Sequence, residues 1–167
     1  MGVGVSADDE VGVLLRAAQP GLLRLALLLT GDRVAAEDLT QETFAKAWAA
    51  RRRLLAVEKP HAYLRQIMVN QARRQARRHR QAHSLPSVVK GEPDHAIQIA
   101  DRDQLGRALR LLPVGQRTAV VLRHYEHLSE AETASVLGCS VGNVKSQTSR
   151  GIAALRRTLS EAQESRS

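Results

Sequence analysis

Between Leu137 and Val141 the chain has three residues, Gly138, Cys139 and Ser140, in which to end one helix and begin another. No other feature constrains the fold as much. Upstream, Ser129 and Glu132 have the spacing of a capping box, in which each side chain bonds the other residue's backbone N–H at a helix start. The helix so begun runs through Ala131, Ala134 and Leu137 and stops at Gly138, which tolerates a left-handed backbone. Ser140 caps the next helix at once. Helices joined this tightly cross steeply, as in a helix-turn-helix, and Ala134 is small enough for a close crossing.

The second helix has two faces. Val141, Val144, Thr148, Ile152, Leu155 and Leu159 follow the three-and-four spacing of a buried stripe. Opposite them stand Asn143, Lys145, Ser146, Gln147, Ser149 and Arg150, short or cationic donors that reach phosphates and base edges from the major groove. The combination predicts a segment that reads DNA rather than an ordinary hairpin with a solvated face.

Aromatic residues are 2% of the chain against 43% hydrophobic overall, so its cores are built of Leu, Val and Ala. That favours helices over sheets. A net charge of +8 and a pI near 10.7 point to a polyanionic partner, nucleic acid or an acidic membrane surface. Cys139 is the single cysteine, which excludes an intramolecular disulfide and suits a small buried side chain better than a redox centre. The N-terminal MGVGVSADDE lacks the basic start and apolar run of a signal peptide. The longest apolar run, 25–29, falls well short of the ~20 residues that span a bilayer. The expectation is a soluble, cytoplasmic protein with no membrane insertion.

In chain order, 1–7 reads as a disordered tail. Asp8 or Asp9 starts a helix with Val11, Leu14, Leu15 and Ala18 on one face. Pro20 and Gly21 interrupt it, and Pro20 suits the first turn of a fresh helix carrying the apolar residues 22–29. Gly31 ends that helix and Asp32 caps the next, whose buried side is Leu39, Phe44, Ala47 and Trp48. Glu37, Asp38, Gln41 and Glu42 make an acidic-amide patch in a basic protein. A positive helix N-terminus accounts for Asp32 and Glu37 but less well for Glu42, so the patch is a candidate protein-docking surface.

Pro60 opens a further helix with Tyr63, Leu64, Ile67 and Met68 on its apolar side and Asn70 among polar residues beyond. Arg73, Arg74, Arg77, Arg78 and Arg80 are denser than a solubilising face needs and point to phosphate contact. Periodicity then fails at Pro86, Ser87, Gly91 and Pro93, so 81–101 reads as a flexible linker. Asp101 caps a helix through Leu105, Ala108, Leu109 and Leu112, and Pro113 opens another with Val114, Ala119, Val120 and Leu122. The fold class is all-α: two small helical domains, 1–80 and 102–167, on a tether.

There is no phosphate loop, dinucleotide fingerprint or nucleophile elbow. His124 and His127 have the spacing of a metal pair on a helix but no further ligand, and read as surface residues. No catalytic site, metal or cofactor is expected.

Three segments, 28–48 (LLTGDRVAAEDLTQETFAKAW), 62–74 (AYLRQIMVNQARR) and 109–156 (from LRLLPVGQRTAVVLRHYEHLSEAE to TSRGIAALR), resemble a group IV, extracytoplasmic-function sigma factor of bacterial RNA polymerase. The resemblance implies that the first domain is sigma region 2. Asp38, Gln41 and Glu42 match the motif that docks on the clamp helices of the largest polymerase subunit. The following helix would melt and hold the −10 element: Asn70 matches the family's asparagine, with Tyr63, Arg65, Arg73 and Arg74 beside it. Tyr63 stands where a tryptophan is common.

The second domain resembles sigma region 4, whose helix-turn-helix reads the −35 element. Gly142, Asn143, Lys145, Ser146, Ser149 and Arg150 occupy the matching positions, and Gln147 replaces a frequent basic residue. Implied partners are core RNA polymerase and promoter DNA, with an anti-sigma factor covering both domains as a further partner. The alternative is a helix-turn-helix regulator that does not replace a sigma factor. It would need an α/β ligand or phospho-acceptor domain where the first eighty residues read as helical.

Overall fold

The computed structural model describes residues 6–82 and 100–165, with side chains of the second part from residue 104. All regular structure among the described residues is helical. Helix α1 (Ala7–Thr30) starts at Ser6, which shares a reciprocal capping box with Asp9, so the start expected at Asp8 or Asp9 falls inside its first turn. The expected break at Pro20 does not occur. Pro20 and Gly21 lie exposed on a continuous helix, while Val11, Leu15, Ala18, Leu22, Leu25, Ala26 and Leu29 form one buried stripe on both sides of them. Packing along that stripe outweighs an internal-proline penalty of about 3 kcal/mol. By length and composition α1 could also cross a membrane, but its stripe is the spine of the first bundle.

Gly31, at φ 70°, turns the chain into α2 (Arg33–Ala49), where Asp32 accepts from the Ala35 N–H at 2.8 Å. Leu39 and Ala47 are buried as expected; Phe44 is half-buried, and Thr40 and Thr43 are buried with them. Both threonine hydroxyls donate back to helix carbonyls at 2.8 Å. Trp48 departs from its expected burial: it is 41% exposed, with the Arg51 guanidinium 5.9 Å from its ring. The helix ends one residue later, before the buried core begins again at Leu54 of α3 (Arg51–Ala56). Helix α4 (Pro60–Ala82) closes the first bundle with Leu64, Met68 and Val69.

The linker expected at 81–101 lies, for residues 83–99, outside the described residues, as does the side chain of Asp101. Helices α5 (Ala100–Leu111) and α6 (Val114–Val120) follow. α6 widens into a π-helical turn over Val121–Tyr125, and His127 then takes a left-handed φ of 54°. This unusual exit turns the chain into α7 (Glu130–Leu137) and α8 (Val141–Glu164). The Ser129–Glu132 capping box, the left-handed Gly138 and the Ser140 cap form as the sequence predicts. Val144 and Leu155 are buried on α8, whereas Val141, at its first turn and beyond the partner helix, is 39% exposed. Gly151 is the close-approach residue: an added Cβ would sit 2.6 Å from Val120 Cγ2.

The halves do not stand apart. One hydrophobic cluster contains Leu25 and Leu29 of α1 together with Leu109, Leu112, Val121 and Leu155.

Candidate nucleic-acid and partner interfaces

The start of α8 is fixed before any ligand arrives. Ser140 Oγ accepts from the Asn143 N–H at 3.1 Å, and Val144 anchors the opposite side with no exposure. Gly142, Asn143, Lys145, Ser149 and Arg150 are consequently exposed, with Ser146 half-buried among them on one face. Lys145 lies 3.6 Å from Glu130 of α7 in an exposed pair that binding can exchange at little cost. Gln147 turns toward α6, where a Cβ on Gly115 would meet its Oε1 at 3.5 Å.

The five candidate residues of α4 separate into two groups. Tyr63, Asn70 and Arg74, seven and eleven residues apart, share a face. Asn70 and Arg74 are exposed, and Tyr63 is half-buried with Arg53 5.5 Å from its ring. Arg65 and Arg73 point to the second half of the molecule. Arg65 Nη1 donates to Glu126 Oε2 at 2.9 Å, and Arg73 Nη1 to the Leu137 carbonyl oxygen at 2.7 Å.

The acidic patch of α2 also divides. Asp38 and Gln41 are exposed, and neither side chain makes a hydrogen bond among the described residues. Glu37 is engaged by Arg33 at 2.9 Å. Glu42 turns inward: its carboxylate accepts from Gln71 Nε2 and, at 2.8 Å, from Gln75 Nε2. Gln71, 3% exposed, accepts in turn from Lys46 Nζ at 2.6 Å. Glu42 is therefore a strut between α2 and α4, which the sequence reading missed. The signal was available as two pairs, Glu42 with Lys46 and Gln71 with Gln75, each one helical turn apart. Among the described residues no three His, Cys, Asp or Glu side chains gather as metal ligands.

The Sigma-70 region 2 family matches residues 14–82, and the Sigma-70 region 4 family matches residues 102–155. The first match occupies the place a ligand or phospho-acceptor domain would need, which disfavours the independent-regulator alternative. An RNA polymerase sigma-E factor of Streptomyces coelicolor is 38% identical over 148 residues, 87% of this chain and 83% of that protein. The ECF RNA polymerase sigma factor SigL of Mycobacterium tuberculosis is 34% identical over 147 residues, 84% of this chain and 83% of that protein. Among solved structures, the sigma factor RpoE of Bartonella quintana, in complex with the anti-sigma factor NepR, superposes with a TM-score of 0.73 at 28% identity. That similarity covers 90% of this chain and 97% of RpoE. The chain belongs to the sigma-70 family and is an RNA polymerase sigma factor of the extracytoplasmic-function type.

Proposed function

We propose that this sigma factor engages polymerase and promoter through three separate surfaces. Asp38 and Gln41, open on α2, meet the clamp helices of the largest polymerase subunit, with Glu42 holding α2 against α4 behind them. Tyr63, Asn70 and Arg74 receive the unpaired −10 strand, stacking and polar base contacts offsetting the unstacking cost. Arg65 and Arg73 lie on the neighbouring side of α4, which faces the second half, and flank that surface. Gly142, Asn143, Lys145, Ser146, Ser149 and Arg150 read the −35 duplex. The observation that carries this reading is the capped, anchored start of α8, whose polar face is open while Val144 is fully buried.

The protein performs no bond chemistry and uses no cofactor; it acts in the cytoplasm, where polymerase supplies the reaction. An anti-sigma factor is a fitting regulator, because the matched RpoE structure is a complex with one.

Two variants test the division of labour. Asp38→Arg is expected to abolish core-polymerase binding while duplex −35 binding persists. Arg150→Ala is expected to weaken duplex binding by about 1–3 kcal/mol with core binding intact. Equal loss of both activities in either variant overturns the assignment.

A further inference from the structure

Two side-chain amides meet on adjacent turns of α8. Gln147 Nε2 donates to Asn143 Oδ1 at 3.4 Å, an i, i+4 pair of the kind that lines up side chains along a helix surface. Asn143 belongs to the first turn, where Ser140 Oγ holds its N–H at 3.1 Å. Residues at this end of a recognition helix meet base edges in the major groove. Gln147 lies one turn further along and is half-buried.

The surroundings of Gln147 set the direction of this pair. A Cβ on Gly115 would lie 3.5 Å from Gln147 Oε1 and 3.9 Å from its Nε2, so the oxygen is the end nearer α6. Gly115 stands in the first turn of α6, which Pro113 precedes without a side-chain cap. N–H groups there have no acceptor within their own helix, and of the two ends of an amide only the oxygen suits them. With Oε1 toward α6, Nε2 is directed to Asn143, and Asn143 Oδ1 is the atom that accepts.

We infer that Gln147 is a positioning residue that makes Asn143 select guanine over adenine in the −35 duplex. An asparagine with both ends free pairs bidentately with adenine, its oxygen accepting from N6 while its nitrogen donates to N7. Here the oxygen is occupied by Gln147, and Asn143 offers the groove its Nδ2 hydrogens alone. Guanine presents two neighbouring acceptors, O6 and N7, to such a donor, as it does to the single nitrogen of a lysine. Adenine sets its N6 amino group against that donor, and a donor facing a donor leaves both unpaired. The inference deepens the proposed −35 reading and rests on it: Gln147 decides, without touching DNA, which base Asn143 accepts.

Binding of the full chain to a duplex library randomised across the −35 element, with bound and unbound fractions sequenced, tests this. Asn143→Ala marks the base pair that Asn143 reads, as the position where the wild-type preference disappears. At that position wild type is expected to favour G·C over A·T roughly tenfold, the discrimination of one good base contact. Gln147→Ala frees Asn143 Oδ1 and is expected to shift the preference at that position alone toward A·T. Replacing the marked guanine by 7-deazaguanine, which has a carbon in place of N7, is expected to weaken wild-type binding severalfold. Gln147→Glu accepts but cannot donate, so it turns Asn143 Nδ2 inward and its oxygen outward. That variant binds all sequences more weakly through its added charge, and is expected to be indifferent to 7-deazaguanine. Circular dichroism confirms that each variant keeps its helices. A wild-type preference for A·T at the marked position, an unchanged G·C preference in Gln147→Ala, or wild-type indifference to 7-deazaguanine would each overturn the inference. A wild type that binds every duplex alike, or an Asn143→Ala that alters no position, refutes the proposed −35 reading of Asn143 and the inference with it.

Discussion

Arg117 Nη1 donates to the carbonyl oxygen of Leu29 at 2.8 Å, across the boundary between the two halves. Its Nη2 donates to the carbonyl oxygens of Arg110 and Leu112 at 3.1 Å each. One planar guanidinium thus closes the C-terminal ends of α1 and α5 together. Burial, and then the neighbouring Arg110, lowers its pKa below the usual arginine value, yet an arginine remains charged. A lysine offers a point charge in place of a fork. Arg117→Lys is therefore expected to lose about 1–3 kcal/mol in urea denaturation, and an unchanged midpoint contradicts this role.

Two glycines give opposite expectations. At Gly151 an added Cβ meets Val120 Cγ2 at 2.6 Å and the Gln116 carbonyl oxygen at 3.3 Å. Gly151→Ala should cost about 1–3 kcal/mol by forcing α6 and α8 apart. Gly106 on α5 has nothing within 4 Å of an added Cβ. Gly106→Ala should stabilise by roughly 0.5–1 kcal/mol through helix propensity. Thermal melts of the two variants beside wild type should move in opposite directions.

The start of the helix-turn-helix is expected to be sensitive to acid. Backbone and side-chain bonds with Ser129, aided by Lys59 and Arg65, lower the Glu132 pKa below its ordinary 4.5 against a smaller opposing effect of desolvation. A depressed folded-state value means the stabilisation is present above the unfolded carboxylate range and is lost as pH falls through the folded value. Amide exchange in the first turn of α7 should therefore be slower in wild type than in Glu132→Gln at neutral pH. The two should converge below the ordinary carboxylate range. A constant difference across that range would show that Glu132 ionisation is irrelevant to the cap.

Helix ends were readable from the sequence because they are set by local chemistry: Gly31, Asp32, Ser129 with Glu132, Gly138 and Ser140 all act within a few residues of themselves. Pro20 was misread because its cost is local while the stripe that overrides it is tertiary. Trp48 follows the same logic in reverse, an apolar side chain whose helix ends before a neighbour covers it. The positions of the polar residues on α8 follow from periodicity, and their exposure agrees with it. The docking of Gln66, Arg73 and Arg117 on carbonyl oxygens was beyond reach, since every residue carries such an acceptor and no pattern distinguishes the one that is used. The strut from Glu42 to Gln71 spans 29 residues: the pairs Glu42 with Lys46 and Gln71 with Gln75 are visible within each helix, but nothing local says that the two helices meet there.

The most direct measurement is run-off transcription with the purified chain, sigma-free bacterial core polymerase and a genomic promoter library. The account predicts discrete start sites downstream of one shared two-part motif, lost with Asp38→Arg and weakened with Arg150→Ala. Absence of discrete starts, with the same core preparation active beside another sigma factor, would contradict it.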